Sequence, residues 1–389
     1  MKKIYSVSFL VLSFIPPLCF SANHDFIHPG ALNTSDEFNL IAQKVREKRN
    51  PWASDFAMLR SNSHDAITYQ AHPVSIVYRG TAPGHAHENY ARLFNDAAAA
   101  YALALDWRIS GDNARALRAA DILLQWAEQL KRIDGTSDKF LASGLYGYQM
   151  AIAAETLKGS TAFTSQEQQK VKQMLLEIFA PMNKSFLENH NGAKIDHYWA
   201  NWDLSNIASL MAIGIFTDRK DLYTEARDYY LHGKGNGAIM NAAWNRYPDG
   251  LVQWQESGRD QGHTLLGIGL AGVICQLAWS QGEDLFSSYN NRLLGAARYA
   301  AVYNSGGSVP FTPYHNSDVV QNTISDTSRG DPRPVWALFY GHYVEKMHLK
   351  APEIKTIMEK SGDEGGGGNY GSASGGFDQL GYGSLTFLQ

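Results

Sequence analysis

The feature that most constrains this chain is a succession of long apolar segments with helical spacing, joined by short polar connections. The Ala-rich segment at 88–112 stops at Gly111, and the segment at 113–130 follows at once, so the two predict an antiparallel helical hairpin. The segments at 141–157 and 165–187 repeat this arrangement, the second with a polar start typical of a capped helix. The alternation expected of half-buried strands is scarce.

Five more helical segments complete the pattern, at 202–216, 220–233, 263–282, 290–304 and 334–348. About ten helices in sequential hairpins, without a long linker, predict an all-α fold, an (α/α) toroid or incomplete barrel. In such a fold the loops between inner and outer helices rim a cleft. The tail from residue 361 is rich in Gly and Ser, and its last part, 382–389, is predicted to form a short strand-like cap.

The first residues have the pattern of a secretory signal peptide, with a Lys pair, an apolar stretch at 4–20 and small residues for cleavage. The prediction is therefore a signal peptide at 1–22, one (α/α)-barrel domain at 23–389, and a periplasmic or secreted protein. No later segment is expected to be long and apolar enough to span a membrane. Cys275 remains as a lone thiol, so the mature fold must be stabilised by its core without an intramolecular disulfide.

The charge balance excludes one class of partner. The formal net charge is −4 and there is no basic run, which argues against nucleic acid. An acidic substrate would have to be bound by local Arg, Lys and His side chains. His85 and His87 could suggest a metal, but no third ligand lies near them in the sequence, so no metal or other cofactor is expected. Their loop, with Tyr78 and Arg79, is instead expected to lie over the cleft.

Polar and aromatic side chains concentrate at three junctions where a loop meets a predicted inner helix. Taken singly, a His at a helix start is usually a cap, and paired Trp residues are usually core. Three such junctions on one rim favour a binding cleft. The candidates are His197, Trp199, Asn201 and Trp202 at the first junction, Gln255, Glu256, Arg259 and His263 at the second, and Tyr314, Arg329, Arg333 and Tyr340 at the third. Tyr146, at another inner helix, is a candidate for a sugar subsite or for the core.

Amide, imidazole, guanidinium and phenol groups together suit β-elimination from a uronic acid. The substrate carboxylate must be neutralised by charge-assisted hydrogen bonds so that the proton on the adjacent carbon can be removed. A neutral His or an ionised Tyr would take that proton, and a Tyr hydroxyl would protonate the leaving oxygen. In 4-linked glucuronate and mannuronate the two groups share a face, so one Tyr could perform both steps; guluronate needs two groups.

Five stretches carry a family resemblance: NWDLSNIASLMAIGIF at 201–216, QWQESGRDQGHTLLGIGL at 253–270, the segment at 281–304, RGDPRPVWALFYGHY at 329–343 and LGYGSLTF at 380–387. Together they resemble the alginate-lyase superfamily of helical-toroid polysaccharide lyases. The resemblance is closest to polysaccharide lyase family 38, whose members cleave glucuronan or alginate. It covers nearly all of the mature chain, and the run ESGRDQGH is its most specific part.

The resemblance implies Asn201 as neutraliser of the substrate carboxylate and His263 as neutraliser or base. It also implies an Arg and a Tyr from the third junction. Tyr314 is favoured over Tyr340 because a loop hydroxyl reaches a cleft more readily than one on a helix. Arg329, between Ser and Gly, is favoured as the cleft residue over the Arg that precedes a helix. Gln255, Trp199 and Trp202 are expected to bind substrate.

Two further expectations concern the second and first junctions. Arg259 and Glu256 are predicted to pair and hold the second junction rigid, and Arg259 is expected to bind substrate. The typical alginate lyases of the superfamily carry an Asn-Asn-His motif before a Tyr-Trp pair, whereas this chain reads IDHYW at 195–199. That departure leaves His197 as a secondary candidate.

Two alternatives from other classes stay open. A glycoside hydrolase on uronyl oligosaccharides needs two opposed carboxylates, and Asp203, Glu256, Asp260 and Asp318 are available. A non-catalytic periplasmic polysaccharide-binding protein would keep the aromatic and Arg residues but needs no group placed for proton transfer.

Overall fold

The computed structural model of the chain describes residues 25–84, 86–367 and 377–389, and these residues are mostly helical. The predicted signal peptide at 1–22 and His85 lie outside them. The helices are α1 (Ser35–Arg46), α2 (Trp52–Ser61), α3 (Ala91–Ser110), α4 (Asn113–Gln129), α5 (Lys139–Leu157), α6 (Ser165–Met174), α7 (Ala180–Asn189), α8 (Ala200–Thr217), α9 (Lys220–His232), α10 (Ile239–Ala242), α11 (Gln261–Ser280), α12 (Ser288–Asn304), α13 (Trp336–Phe339), α14 (Pro352–Ser361) and α15 (Gly383–Thr386). The predicted all-α class is confirmed.

Four long helices pack side by side in the order α3, α5, α8, α11. Helices α4, α9 and α12 each pack on the long helix that precedes them in the chain, which is α3, α8 and α11 respectively. Helix α7 packs on α5 and α8. The closest approach is between α5 and α8, where Gly144 and Gly147 face Ser205 and Ser209. A Cβ on either Gly would lie within 2.4 Å of a Ser hydroxyl, so only Gly allows these backbones to meet. The core lies between the four long helices and the helices that pack on them.

Local signals set several helix ends where the sequence places them. Gly111 takes a left-handed conformation (φ 77°) after α3, and the Asp112 carboxylate caps α4 by accepting a hydrogen bond from the amide of Ala114. Thr164 and Glu167 form a capping box at the start of α6, and a π-helical turn joins α6 to α7. A second π-helical segment, Tyr340–Lys346, follows α13.

The predicted strand-like cap at the chain end is wrong, because residues Gly383–Thr386 form a turn of helix, α15. The Thr386 amide donates to the Tyr382 carbonyl, and Asn33 Nδ2 donates to the Thr386 carbonyl at 3.0 Å, so contacts distant in sequence fix this turn. Leu385 is fully buried, and the segment still covers the core as a cap.

Strands are short and occur in three pairs. Strand β1 (Ile76–Arg79) is parallel to β2 (Arg132–Gly135), β3 (Ala243–Arg246) is antiparallel to β4 (Val252–Trp254), and β5 (Tyr314–His315) is antiparallel to β6 (Val320–Gln321). The β3–β4 and β5–β6 pairs lie at the second and third sequence junctions, and they bring these two junctions close together.

Helix α11 corrects a further expectation. Among the described residues it is the one helix long and apolar enough to cross a membrane by length and composition alone. Most of it is buried within the protein, packed against α8 and α12, which is how the core helix of a folded domain satisfies the same criterion.

Candidate active site

The three sequence junctions meet at the N-terminal ends of α8 and α11. Gln255, directly after β4, accepts a hydrogen bond from the amide of Ala200 at 2.9 Å and donates one to the Tyr314 hydroxyl at 2.8 Å. The next residue, Glu256, accepts a hydrogen bond from Asn201 Nδ2 at 2.5 Å. Two consecutive side chains therefore join the start of α8 to the hairpin that carries Tyr314.

The turn between β4 and α11 is held from both sides. The Gln255 amide donates to the Ala242 carbonyl at 2.7 Å, and Gln321 Nε2 of β6 donates to the Gln255 carbonyl at 3.0 Å. Gly258 lies against Gln321 so closely that a Cβ would meet its Oε1 at 2.3 Å. This close approach explains the Gly in the ESGRDQGH run, since it lets the third junction cover the second.

Asp260 orients His263. Its Oδ1 accepts a hydrogen bond from the His263 amide at 2.7 Å and so caps α11, and its Oδ2 lies 2.7 Å from His263 Nδ1. Arg259 Nη2 lies 3.1 Å from His263 Nε2. Because a guanidinium can only donate, Nε2 must accept, which assigns the ring proton to Nδ1. In this arrangement Nε2 carries the lone pair of the ring and is directed away from Asp260.

Burial and ion pairing act in opposite directions on the two carboxylates of this turn. Burial raises the pKa of Glu256, and Arg259, His263 and the Asn201 amide reduce that rise. Burial would also raise the pKa of Asp260, but the hydrogen bonds from the His263 ring and amide outweigh it, so this pKa is lowered. Glu256 thus retains a proton more readily than its neighbour does.

Asn201, Glu256, Arg259 and His263 form a hydrogen-bonded cluster. Arg259 and His263 are its accessible polar groups. The predicted pairing of Arg259 with Glu256 is present, with Nη1 donating at 2.9 Å, and the guanidinium lies 5.0 Å above the ring of Trp199. The His263 side chain is 40% exposed, whereas Asn201 is 1% exposed. A substrate would therefore meet the imidazole and guanidinium first, with the amide beneath them.

Tyr314 lies in β5 and is nearly buried on the hairpin. It packs edge-on against Trp244, with ring centroids 5.5 Å apart. Burial raises the pKa of its phenol, the amides of Gln255 and Asn316 act against that rise, and the carboxylates of Asp196 and Glu256 add to it. The phenol is therefore held in its protonated form, which suits a proton donor.

The aromatic candidates of the first junction divide into two groups. Trp199 lies beside the cluster, under Arg259. Trp202 packs on Tyr198 and Phe186, at centroid distances of 4.6 and 5.9 Å. His197 lies at the rim, with Nδ1 2.8 Å from Asp318 Oδ2.

The structure does not bring Arg329 to the cluster. Its guanidinium donates to the carbonyls of Tyr303 and Gly307 at 2.8 and 2.7 Å, and to Asp326 at 2.9 Å. All of its donor nitrogens are thus engaged in bracing two loops. Tyr340 is also apart, in the π-helical segment after α13 and packed against the core.

Arg79 and Tyr146, two further candidates from the sequence, contact each other. Arg79 Nη1 donates to the Tyr146 hydroxyl at 3.2 Å, and its guanidinium lies over Tyr90. Burial raises the pKa of the Asp378 carboxyl, and the charges of Arg333 and Arg79 oppose that rise. Tyr146 is fully buried and belongs to the core.

Sequence reasoning named Asp260 only as an available carboxylate for a hydrolase, and it missed Asp378 and Asp196. Asp260 had a readable signal, because an Asp three residues before a His at a helix start fits an N-cap. Asp378 and Asp196 had none, since their partners lie far away in sequence. Among the described residues no group of three or more His, Cys, Asp or Glu side chains is arranged to hold a metal ion.

Comparison with known proteins adds a family and a fold. The family model described as alginate lyase matches residues 41–311. The crystal structure of alginate lyase A1-III from Sphingomonas species A1 superposes with a TM-score of 0.63 at 12% identity, covering 95% of this chain and 98% of that one.

Two other solved structures agree with that fold. A substituted form of alginate lyase A1-III complexed with a tetrasaccharide gives a TM-score of 0.61 at 13% identity, over 95% of this chain and 98% of that one. An alginate lyase from Bacteroides ovatus gives 0.55 at 15% identity, over 71% and 83%. Among curated protein sequences, none matches this chain.

Proposed function

Since the chain belongs to the alginate lyase family and is a polysaccharide lyase, we propose that it cleaves a 4-linked polyuronate by β-elimination. The observation that carries the proposal is the hydrogen-bonded cluster of Asn201, Glu256, Arg259 and His263, linked through Gln255 to Tyr314. Each chemical task of the reaction has a group in that cluster.

Neutralisation of the substrate carboxylate falls to the groups around Glu256. Arg259 offers a guanidinium, and the Asn201 amide lies next to it. Burial raises the pKa of Glu256, so a proton on this carboxyl can supply a further donor when an anionic sugar approaches. Donors of this kind let the negative charge that develops on C5 delocalise into the carboxylate.

Proton removal falls to His263, whose neutral Nε2 accepts from Arg259 in the free protein. When the substrate carboxylate draws the guanidinium, Nε2 becomes free to take the C5 proton. The C5 electron pair forms the C4–C5 double bond, the C4–O4 bond breaks, and Tyr314 gives its phenolic proton to the leaving oxygen. Where the C5 proton and O4 share a face, one residue can serve both steps; the raised pKa of Tyr314 favours it as the acid and leaves the role of base to His263.

We propose glucuronan as the preferred substrate, with mannuronate-rich alginate next. Support for the first is the stretch IDHYW, in which the Asn-Asn-His motif of the typical alginate lyases is replaced. Support for the second is the fold shared with alginate lyase A1-III. We also propose that the protein is exported to the periplasm or beyond, on the pattern of residues 1–22.

The hydrolase alternative has less support from the carboxylates. Asp203 is buried, 3.0 Å from His190 Nε2, and accepts from the Gly237 amide at 2.9 Å. Asp318 pairs with His197 at the rim. These partners hold both carboxylates, so neither is placed opposite Glu256 as the second carboxylate of a hydrolase.

The test is incubation of the protein with purified glucuronan, polymannuronate and polyguluronate. A lyase produces the ultraviolet absorbance of the unsaturated uronate. New reducing ends without that chromophore would indicate a hydrolase, and binding without either product would indicate a non-catalytic protein. Substitution His263→Ala should lower the lyase rate by about 10²–10⁴.

A further inference from the structure

The loop that opens α8 is fastened to the hairpin that carries Tyr314 by one carboxylate. Asp196 Oδ2 accepts a hydrogen bond from the Ser317 amide at 2.9 Å, and Oδ1 accepts one from the Ser317 hydroxyl at 2.5 Å. Asp196 is three residues before Trp199, the residue that precedes α8, and Ser317 is three residues after Tyr314. The clamp therefore lies close to both catalytic junctions along the chain.

The backbone of the same residue takes part. The Asp196 carbonyl accepts hydrogen bonds from the side-chain amides of Asn316 and Asn236, each at 2.9 Å. Asn316 also turns the hairpin, since its Oδ1 accepts from the amides of Asp318 and Val319. Four hydrogen bonds thus converge on Asp196, and three of them come from the loop of the β5–β6 hairpin.

The negative charge of Asp196 affects the pKa of the Tyr314 phenol. The groups that face the Tyr314 hydroxyl are the amides of Gln255 and Asn316, which lower its pKa, and the carboxylates of Asp196 and Glu256, which raise it. The hydroxyl and amide of Ser317 in turn lower the pKa of Asp196, so that this carboxylate stays ionised at neutral and alkaline pH.

We propose that Asp196 is a positioning residue for Tyr314, which fixes the hairpin against the start of α8 and holds a negative charge beside the phenol. The inference rests on the proposed function, because it matters only if Tyr314 transfers a proton. Its place is the stretch in which this chain departs from the Asn-Asn-His motif. A residue of that stretch here acts on the phenol through the hairpin, without touching the substrate.

Two substitutions separate geometry from charge. Asp196→Asn keeps an oxygen that can accept from the Ser317 amide but removes the negative charge. Asp196→Ala removes both. The matched control is Asp221→Asn, an exposed Asp of α9 paired with Arg219 and remote from the hairpin in the fold.

The measurement is the pH profile of kcat and KM on the polymer that the wild type cleaves. Asp196→Asn should retain most of its maximal kcat, while the pH midpoint governed by Tyr314 moves to lower pH, whether the phenol acts as acid or as base. Asp196→Ala should lose about ten- to a hundred-fold in kcat with little change in KM, because small misplacement of a reacting group is costly. Asp221→Asn should match the wild type in every parameter.

The outcomes are distinguishable. An unchanged midpoint in Asp196→Asn together with a normal kcat in Asp196→Ala would overturn the positioning role while leaving the lyase reaction intact. Loss of the folded state in both variants, seen by circular dichroism, would assign Asp196 to stability alone and also overturn it. A wild type that forms no unsaturated product would instead refute the proposed function.

Discussion

Removal of the Tyr314 hydroxyl is the sharpest test of the site. In Tyr314→Phe, Gln255 Nε2 loses its acceptor at 2.8 Å while Gln255 remains fully buried. An unsatisfied buried donor costs about 1–3 kcal/mol, so the free energy of unfolding should fall by that amount. Loss of a proton-transfer group costs about 10²–10⁴ in rate, which corresponds to roughly 3–5 kcal/mol in the barrier. The effect on the rate should therefore exceed any effect of partial unfolding at 25 °C.

The matched control is Tyr343→Phe. The Tyr343 hydroxyl is also buried and donates to the Phe286 carbonyl at 2.9 Å, but it lies in the segment after α13, away from the cluster. Both variants should lose similar stability in urea unfolding, and only Tyr314→Phe should lose the rate of unsaturated-uronate formation. A Tyr314→Phe enzyme that retains a tenth or more of the wild-type rate would remove the phenol from the reaction and refute the assignment.

Three further predictions concern residues around and beyond the site. Asp260→Asn should keep the cap of α11 but lower kcat, whereas Asp260→Ala should also lose about 1 kcal/mol of unfolding free energy; full activity of the Asn variant would show that His263 needs no carboxylate. Arg329→Ala should lower unfolding free energy by about 1–3 kcal/mol at unchanged kcat, and a folded variant with a hundred-fold lower rate would return Arg329 to the reaction. Burial raises the pKa of Asp55 to about 7, with Ser384 opposing and Asp363 adding to the rise, so the stability that Asp55 contributes below about pH 4 is lost as pH rises towards 7. Asp55→Asn should therefore gain unfolding free energy at pH 8 and little at pH 4.5; an equal gain at both would contradict this.

The sequence was informative wherever the deciding interaction is local. The end of α3 follows from Gly111 alone, and the start of α6 follows from Thr164 and Glu167, three residues apart. The chain end was mispredicted because its aromatic and apolar residues suit a strand. Its helical turn depends on partners far away, such as Asn33 and the Glu364 amide that donates to Ser384 Oγ.

The difference between local and distant partners also separates the site residues that could be predicted from those that could not. Glu256, Arg259 and His263 fall within one turn and the start of one helix, so their association could be predicted from spacing. Arg329 could not be assigned in the same way, because its carbonyl partners at Tyr303 and Gly307 precede it by more than twenty residues. A loop Arg that braces other loops has the same sequence context as one that binds a substrate.

Because the net charge is −4, attraction for an anionic polymer must arise locally. At the second junction this attraction depends on the balance between Arg259 and the two carboxylates next to it. Arg259 lies 2.9 Å from Glu256 and 3.7 Å from Asp260, so two ionised carboxylates would outweigh its single charge. A uronate carboxylate would then be repelled. Burial moves the balance, because it raises the pKa of Glu256 while hydrogen bonds from His263 keep that of Asp260 low. An incoming carboxylate raises the Glu256 pKa further, so that binding the substrate and protonating Glu256 favour each other. The raised pKa of Glu256 therefore weakens its competition with a substrate carboxylate for Arg259.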